Sequence, residues 1–537
     1  MAAALARPAL NERSLSHETW VGLGLATLSG CAWFLACAPF DLSALAWVAM
    51  IPVLFALDRA SSTGQAVFFS WWAGAVLTAG QYYWLIELLR RFADFSTLLA
   101  ILGYLLFCAY QGSIFLLFGL VVRTIRSRRK LPMVLVAPPA MVMAELVVPL
   151  LFPSSLAMTQ AWRPVVIQIA DLAGPLGVTA VLLVVNAALY DLLTERRKAV
   201  WPALAGAAVL VAALLYGYVR MRHVDALTAN APKLEVGLVQ PNVAFNLKGV
   251  EHPEQAQAQL RVLRERSREL ADAGAQLIVW SETSFPYILP RNFVHDFPAG
   301  SPYAMRPGFD TPLIVGALTR SPSDVYAHNS ALMLDRDGRV TGRYDKVLLL
   351  AFGEYMPGVE YFPSLRKWIP AGAGNYTPGD HVDTVPFTDR DGRAWRLGTI
   401  ICYEDILPEF LRRVGALHPD LLVNLTNDTW FGEKSEPWEH LSLAVFASVE
   451  QRTALVRAVN SGVSAVVDAN GRVTSKTYAL DPYVHPRPAG KMLATVALME
   501  GGHTVYQAVG NLFAYLCTAA SLLTWGAVYL RSPQRVR

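Results

Sequence analysis

Apolar residues in this 537-residue chain are not spread along it but gathered into blocks, and those blocks leave few folds open. A bilayer core of about 30 Å calls for about 20 apolar residues in helical form. Eight runs approach that length: residues 20–38, 42–57, 66–89, 97–122, 132–152, 165–193, 200–219 and 508–530. Between the seventh and eighth, residues 223–505 read like a soluble domain. The composition agrees: 54% hydrophobic and 16% charged, where soluble chains carry about a quarter charged residues. The run 42–57 is short and holds Pro52, which implies a tilted or broken segment. The first run, Trp20–Ala38, reads as a retained helix, being long and rich in Trp and Phe for a cleaved signal.

Basic residues in short loops set orientation. Arg123, Arg126, Arg128, Arg129 and Lys130 follow the fourth run, Arg196, Arg197 and Lys198 the sixth, and Arg531, Arg535 and Arg537 the eighth, while Arg7 and Arg13 precede the first. With eight spans all these clusters fall on one side, which is then cytoplasmic. Arg90 and Arg91 are the exceptions, beside Glu87 and Asp94. The chain then divides into a membrane domain (1–222) of about seven helices, an extracytoplasmic domain (223–505), and a last helix with a cytoplasmic tail (506–537). The region is either an anchor or a platform that admits lipid; Pro138, Pro139, Pro149, Pro153 and Pro164 mark breaks that membranes tolerate where protein or water satisfies the backbone.

The net charge of +4 is small, and no basic stripe marks a nucleic-acid partner. Of five cysteines, only Cys402 lies in the soluble stretch, so a disulfide within that domain is excluded. No CxxC spacing supports a zinc site, and no metal or organic cofactor is expected.

Within 223–505, residues 233–240, 275–280, 313–319, 395–401 and 419–428 read as strands, and 253–272 and 438–458 as helices. Asp337-Gly338, Asp391-Gly392 and Asn470-Gly471 are hairpin signals. Strands mixed with helices predict a layered α/β domain. Three strand ends carry reactive side chains. Cys402 ends an apolar strand at a sharp corner, followed by Tyr403, Glu404 and Asp405; such a corner exposes a nucleophile and aims backbone N–H groups at an oxyanion. Glu282 ends AQLIVWSE, where apolar neighbours favour a raised pKa and base chemistry. Lys346 follows a hairpin strand and is placed to stabilise an oxyanion. Each residue alone reads equally well as something blander: an inert buried thiol, a surface carboxylate, a solvated lysine.

Together, WSET around Glu282, DK and FGEYMP around Lys346, ICYED around Cys402, and NDTWFGEKSEPWEH (427–440) resemble the nitrilase (carbon–nitrogen hydrolase) superfamily and, with the flanking apolar runs, the apolipoprotein N-acyltransferase family. The resemblance implies an α-β-β-α sandwich beside a multi-pass helical membrane domain in the bacterial inner membrane, the sandwich on the periplasmic side. It implies Glu282 as general base, Lys346 as oxyanion stabiliser and Cys402 as nucleophile, with Glu354, Tyr403 and Glu404 as supporting or pocket residues. It implies a phospholipid acyl donor, a diacylated apolipoprotein acceptor and ping-pong transfer through a thioester. Two positions depart from the family pattern: Gly249 where an aromatic residue is common, and Ala351 where proline is.

Two rival readings remain at this stage, a membrane-anchored amidase using the same three residues with water, and a noncatalytic scaffold or transporter. A donor chain cannot leave the bilayer freely, since each CH₂ moved into water costs about 0.8 kcal/mol. The aromatic-rich loop 351–376, with Phe362 and Trp368, is therefore the expected site of lipid access, together with Trp430, Phe431 and Trp438.

Overall fold

A computed structural model describes residues 12–195, 200–244, 253–359, 361, 362, 364, 375–432, 434–479 and 489–530. The apolar blocks form helices α1 (Glu12–Ala36), α2 (Ile51–Arg59), α3 (Thr63–Gln81), α4 (Leu85–Arg91), α5 (Thr97–Gln111), α6 (Ser113–Arg128), α7 (Met133–Val147), α8 (Pro164–Ile167), α9 (Ala170–Glu195) and α10 (Val200–Asn230). Among the described residues, four helical stretches are long and apolar enough to cross a membrane: His17–Ala36, Thr97–Arg128, Ala170–Thr194 and Val200–Asn230. Met133–Val147 and Leu512–Val528 are shorter apolar helices. Small residues let backbones meet, as is common between membrane helices. A Cβ on Gly74 would lie 2.8 Å from the Gly112 carbonyl oxygen.

Several expected runs break where proline, glycine or a distant polar group dictates. Residues 42–57 are not one helix but a 3-10 turn (Ser43–Trp47) and the nine-residue α2, which starts around Pro52. Nine residues at about 1.5 Å each cannot span a bilayer. Asn186 of α9 caps this break, accepting from Met50 N at 2.8 Å and donating to Ala46 O at 2.9 Å. The run 66–89 divides between α3 and α4, and 97–122 between α5 and α6 at Gly112. The run 165–193 divides between α8 and α9, which is itself kinked at Gly174 (φ 65°), ahead of Pro175. The division at 222/223 falls inside α10, which continues to Asn230; Val224 is buried there and Asp225 pairs with Arg472 at 2.6 Å.

Beyond α10 two sheets stack face to face. The first has the order β13-β1-β2-β4-β5-β6, from β1 (Lys233–Gln240), β2 (Leu277–Trp280), β4 (Leu313–Arg320), β5 (His328–Leu334), β6 (Val340–Asp345) and β13 (Gly490–Ala497), with β3 (Leu289–Pro290) beside β4. The second has the order β12-β11-β10-β9-β8-β7, from β7 (Val385–Thr388), β8 (Ala394–Ile401), β9 (Leu421–Thr426), β10 (Leu455–Val459), β11 (Gly462–Val467) and β12 (Val473–Ala479). Val236 and Leu238 of one sheet share a core with Ile400, Leu422 and Val456 of the other. Helix α11 (Pro253–Asp272) covers the first sheet through Leu260, Leu263 and Leu270. Helices α12 (Pro408–Gly415) and α13 (Glu436–Gln451) lie by the second sheet, and α14 (Val505–Val509) and α15 (Leu512–Leu530) return the chain to the helical half. The layers are the expected α-β-β-α sandwich.

The helix read over 438–458 ends at Gln451. Arg452 turns left-handed (φ 53°), and the β-branched run after it becomes β10, buried throughout. The turn is held from the membrane half. Arg452 Nη2 lies 2.7 Å from Asp171 Oδ2 of α9, and Asp171 also takes Arg220 Nε at 2.8 Å and the Tyr216 hydroxyl at 2.5 Å, both from α10. One buried carboxylate thus joins two apolar helices to the sandwich.

Candidate active site

Three strand ends converge. Glu282 lies two residues past β2, Lys346 directly past β6, and Cys402 directly past β8, so the two sheets contribute to one site. All three are buried, with Lys346 1% exposed. The corners are tight: Thr283 and Cys402 take positive φ (48° and 56°), a region a side chain occupies at a cost that functional corners often carry. The 3-10 turn Cys402–Ile406 starts at the thiol residue, and Asn424 Nδ2 donates to the Cys402 carbonyl at 2.9 Å.

Lys346 Nζ lies 2.8 Å from Glu354 Oε2 and 3.4 Å from Glu282 Oε1. Asn329 Nδ2, from β5, donates to Glu282 Oε1 at 2.7 Å and to Glu354 Oε1 at 3.3 Å, which spaces the carboxylates. The Lys346 backbone N–H bonds to Asn329 O at 2.8 Å, extending the β5–β6 ladder through the site. Burial pushes the Glu282 carboxyl up; Lys346 opposes this and Glu354 reinforces it. Burial alone would depress Lys346, but Glu354 and Glu282 hold it well above the usual lysine value. Burial, and then Glu282, raise the Cys402 thiol well above its ordinary value. Burial thus favours the neutral thiol, with the Glu282 carboxyl and the Lys346 cation as its strongest charged influences.

Glu354 and Tyr403 both lie against Lys346. Glu354 also accepts from Leu350 N at 2.8 Å, and the Tyr403 ring lies 5.6 Å from Lys346 Nζ while its hydroxyl donates to Leu349 O at 3.0 Å. Glu404 does not line the pocket. Its Oε1 accepts from Val347 N and Leu348 N, and its Oε2 from Ile401 N, each at 2.9 Å, with the Tyr344 hydroxyl at 2.8 Å on Oε2. It is a clamp between the lysine loop and the cysteine corner. Burial pushes its carboxyl up to about 7.

Two neighbouring cavities lie by the site, and Cys402 lines the smaller one. One of about 40 Å³ is lined by Cys402, Tyr403, Trp84, Glu436, Glu439 and His440, among others. The other, about 320 Å³, is lined by Leu85, Leu88, Phe92 and Phe107 from the apolar helices and by Phe352, Met356, Trp430 and Phe431 from the sandwich. Phe152, Leu350 and Phe431 border both. The expected lipid-access loop is thus represented by Phe352 and Met356. Phe362 is exposed and lines neither cavity, and Trp368 and Gly249 lie outside the described residues. Trp438 packs instead by Lys476 and Tyr478. Sequence reasoning missed Asn329, Asn424 and the wall from α4 and α5. It also left unresolved a buried network inside the 427–440 motif: His440 Nε2 lies 2.9 Å from Asp405 Oδ1 and Nδ1 3.1 Å from Asp428 Oδ1, while Arg457 faces both aspartates at 3.3 Å.

Residues 29–188 match the apolipoprotein N-acyltransferase N-terminal domain, and residues 235–479 match the carbon–nitrogen hydrolase family. Fold and site thus define a membrane acyltransferase of the nitrilase superfamily. The apolipoprotein N-acyltransferase of Chlorobaculum tepidum is 30% identical over 382 residues, covering 65% of this chain and 68% of that protein. That of Geobacter metallireducens is 29% identical over 525 residues, covering 94% and 95%. The chain belongs to the apolipoprotein N-acyltransferase family. Among solved structures, Saccharomyces cerevisiae Nit3 of the nitrilase superfamily aligns at 15% identity and a TM-score of 0.35, over 52% of this chain and 95% of that one.

Proposed function

We propose that the enzyme moves an acyl chain from a phospholipid to the N-terminal amine of a diacylglyceryl-cysteine lipoprotein, through a thioester on Cys402. The observation that carries this is the burial of Glu282, Lys346 and Cys402 together, with Cys402 on a small cavity that shares Phe152, Leu350 and Phe431 with an apolar cavity walled partly by α4 and α5. Glu282 takes the thiol proton. The thiolate attacks the donor ester, Lys346 stabilises the tetrahedral oxyanion, the C–O bond breaks, and a lysophospholipid leaves with the proton that Glu282 took. The acyl chain stays in the apolar cavity while the amine attacks the thioester. An amide lies below a thioester in energy, so the second step runs downhill.

The chain is placed in the bacterial inner membrane with the sandwich on the periplasmic side, in keeping with the basic clusters after the fourth, sixth and eighth apolar runs. The test is transfer of labelled acyl from phospholipid to a synthetic diacylated lipopeptide, with mass spectrometry of the enzyme. The expected results are an acyl adduct on Cys402, an amide product, and loss of both in Cys402→Ser. Release of free fatty acid with no amide in the presence of lipopeptide would make the enzyme a hydrolase and overturn the reading.

A further inference from the structure

The small cavity beside Cys402 has unused chemistry in its wall. Glu436 and Glu439 sit one turn apart at the start of α13, 7% and 3% exposed. Glu439 Oε2 accepts from Trp84 Nε1 at 3.2 Å, while Glu439 Oε1 and Glu436 Oε2 have no hydrogen-bond partner among the described residues. The nearby Ser435 hydroxyl donates to Gln81 O at 3.2 Å. Buried carboxyl oxygens without donors are costly and call for an explanation. Both residues line the cavity that Cys402 lines.

We infer that Glu436 and Glu439 form the docking site for a primary ammonium group, that of the acyl acceptor, and deliver it to the thioester. The inference rests on the thioester reading above. The cavity of about 40 Å³ suits a group the size of water, since about 10–15 Å³ of such space holds one water. An ammonium brings three donors to the two waiting oxygens. Lys and Arg are absent from the described lining, so an anionic phosphate finds no partner there. His440 does line the cavity, but its ring nitrogens are met by Asp405 and Asp428, with Glu436 Oε1 3.6 Å from Nδ1. The same engagement disfavours a metal on Asp428, Glu436 and His440, which lie close enough to hold one. Both imidazole nitrogens face carboxylates and serve as donors, leaving no lone pair for an ion.

The chemistry balances. The acceptor enters as R–NH₃⁺, Glu439 losing its own proton to solvent as the ion pair forms, and the ammonium then gives one proton to the Glu439 carboxylate. Burial raises that carboxyl to about 8, close to the value of about 7.7–8.0 for an α-amine, so the transfer is nearly level. The free amine attacks the thioester carbon; the C–N bond forms and the C–S bond breaks. The second nitrogen proton passes through Glu282 to the departing sulfur, and Glu439 is left protonated, as at rest.

A phospholipid with an ethanolamine head also carries a primary ammonium, so the test separates donor from acceptor. Glu436→Gln and Glu439→Gln are assayed in full-length enzyme in two half-reactions. Acyl-enzyme formation is followed with phosphatidylglycerol and with phosphatidylethanolamine, and the preformed acyl-enzyme is then chased with a diacylated lipopeptide. The expected result is acylation within about threefold of wild type for both donors, and a chase at least tenfold slower with a raised KM for lipopeptide. An unchanged chase overturns the inference. Slower acylation by phosphatidylethanolamine alone also overturns it, assigning the site to the donor head. Loss of acylation by both donors overturns it as well, in favour of a purely structural role. If wild-type enzyme forms no acyl adduct, it is the thioester reading that fails.

Discussion

The Tyr344 hydroxyl donates to Glu404 Oε2 at 2.8 Å, tying the last strand of one sheet to the corner through which the other presents Cys402. Because Glu404 also holds the Val347, Leu348 and Ile401 amides, the separation of Lys346 from Cys402 depends on one buried side chain.

Replacing Glu404 by Ala strands three amides, that of Ile401 buried and those of Val347 and Leu348 half-buried, and a buried one left without an acceptor costs about 1–3 kcal/mol. The expected outcome is a lower Tm and a sharp loss of acyl-enzyme formation, with Tyr344→Phe much milder. Thermal unfolding in detergent and a single-turnover assay measure both. Unchanged acylation in Glu404→Ala would show that the clamp is dispensable.

Lys346→Met leaves Glu282 and Glu354 facing each other without their cation. Both half-reactions pass through an oxyanion, so each is expected to slow by on the order of 10²–10³. Loss in one half-reaction only would remove Lys346 from the other.

Glu450 is fully buried on α13, and neither carboxylate oxygen has a hydrogen-bond partner among the described residues. Burial, helped by Glu409, pushes its carboxyl up to about 8 from 4.5. Between those values the folded protein holds a proton that the unfolded chain has lost, so this group makes stability fall as pH rises from about 4.5 to about 8, at up to about 1.4 kcal/mol per pH unit. Glu450→Gln should remove that slope. Its Tm relative to wild type is expected to climb from pH 5 to pH 8 and then level off. A constant difference would mean that Glu450 is already ionised in the fold.

Phe352 and Met356 line the large apolar cavity. Changing both to Ser should slow acylation by a long-chain phospholipid at least tenfold more than by a short-chain soluble ester. Equal losses for the two donors would indicate damage to the site and not to lipid access.

A membrane-impermeant probe applied to intact spheroplasts should reach residues of the sandwich and spare the tail after α15. Labelling of the tail with protection of the sandwich would reverse the proposed orientation.

What could be read from the sequence was local. Glu282 and Cys402 each close an apolar run, Lys346 follows a hairpin strand, and the alternation of β1 and the spacing of α11 are visible in single stretches of chain. What escaped was decided by partners far away. Pro52 marked the break in 42–57, but its stabiliser, Asn186, lies more than 130 positions on, and the end of α13 is held by Asp171, some 280 positions back. Glu404 looked like a pocket residue because its neighbour is Cys402, but its hydrogen bonds reach back to 344–348. The wall given by α4 and α5 had no signal, since lipid-facing and cavity-facing leucines look alike in sequence.

The Asp171 junction has a kinetic meaning. With Arg452, Arg220 and Tyr216 gathered on one carboxylate, the sandwich is fixed to two apolar helices and cannot swing away to collect substrate from bulk water. On the proposed function, encounter with a lipid donor is then two-dimensional, and the effective concentration is set by crowding within the leaflet. Turnover should follow the mole fraction of donor among the lipids, falling as inert lipid dilutes the surface and staying level when more vesicles of the same composition are added.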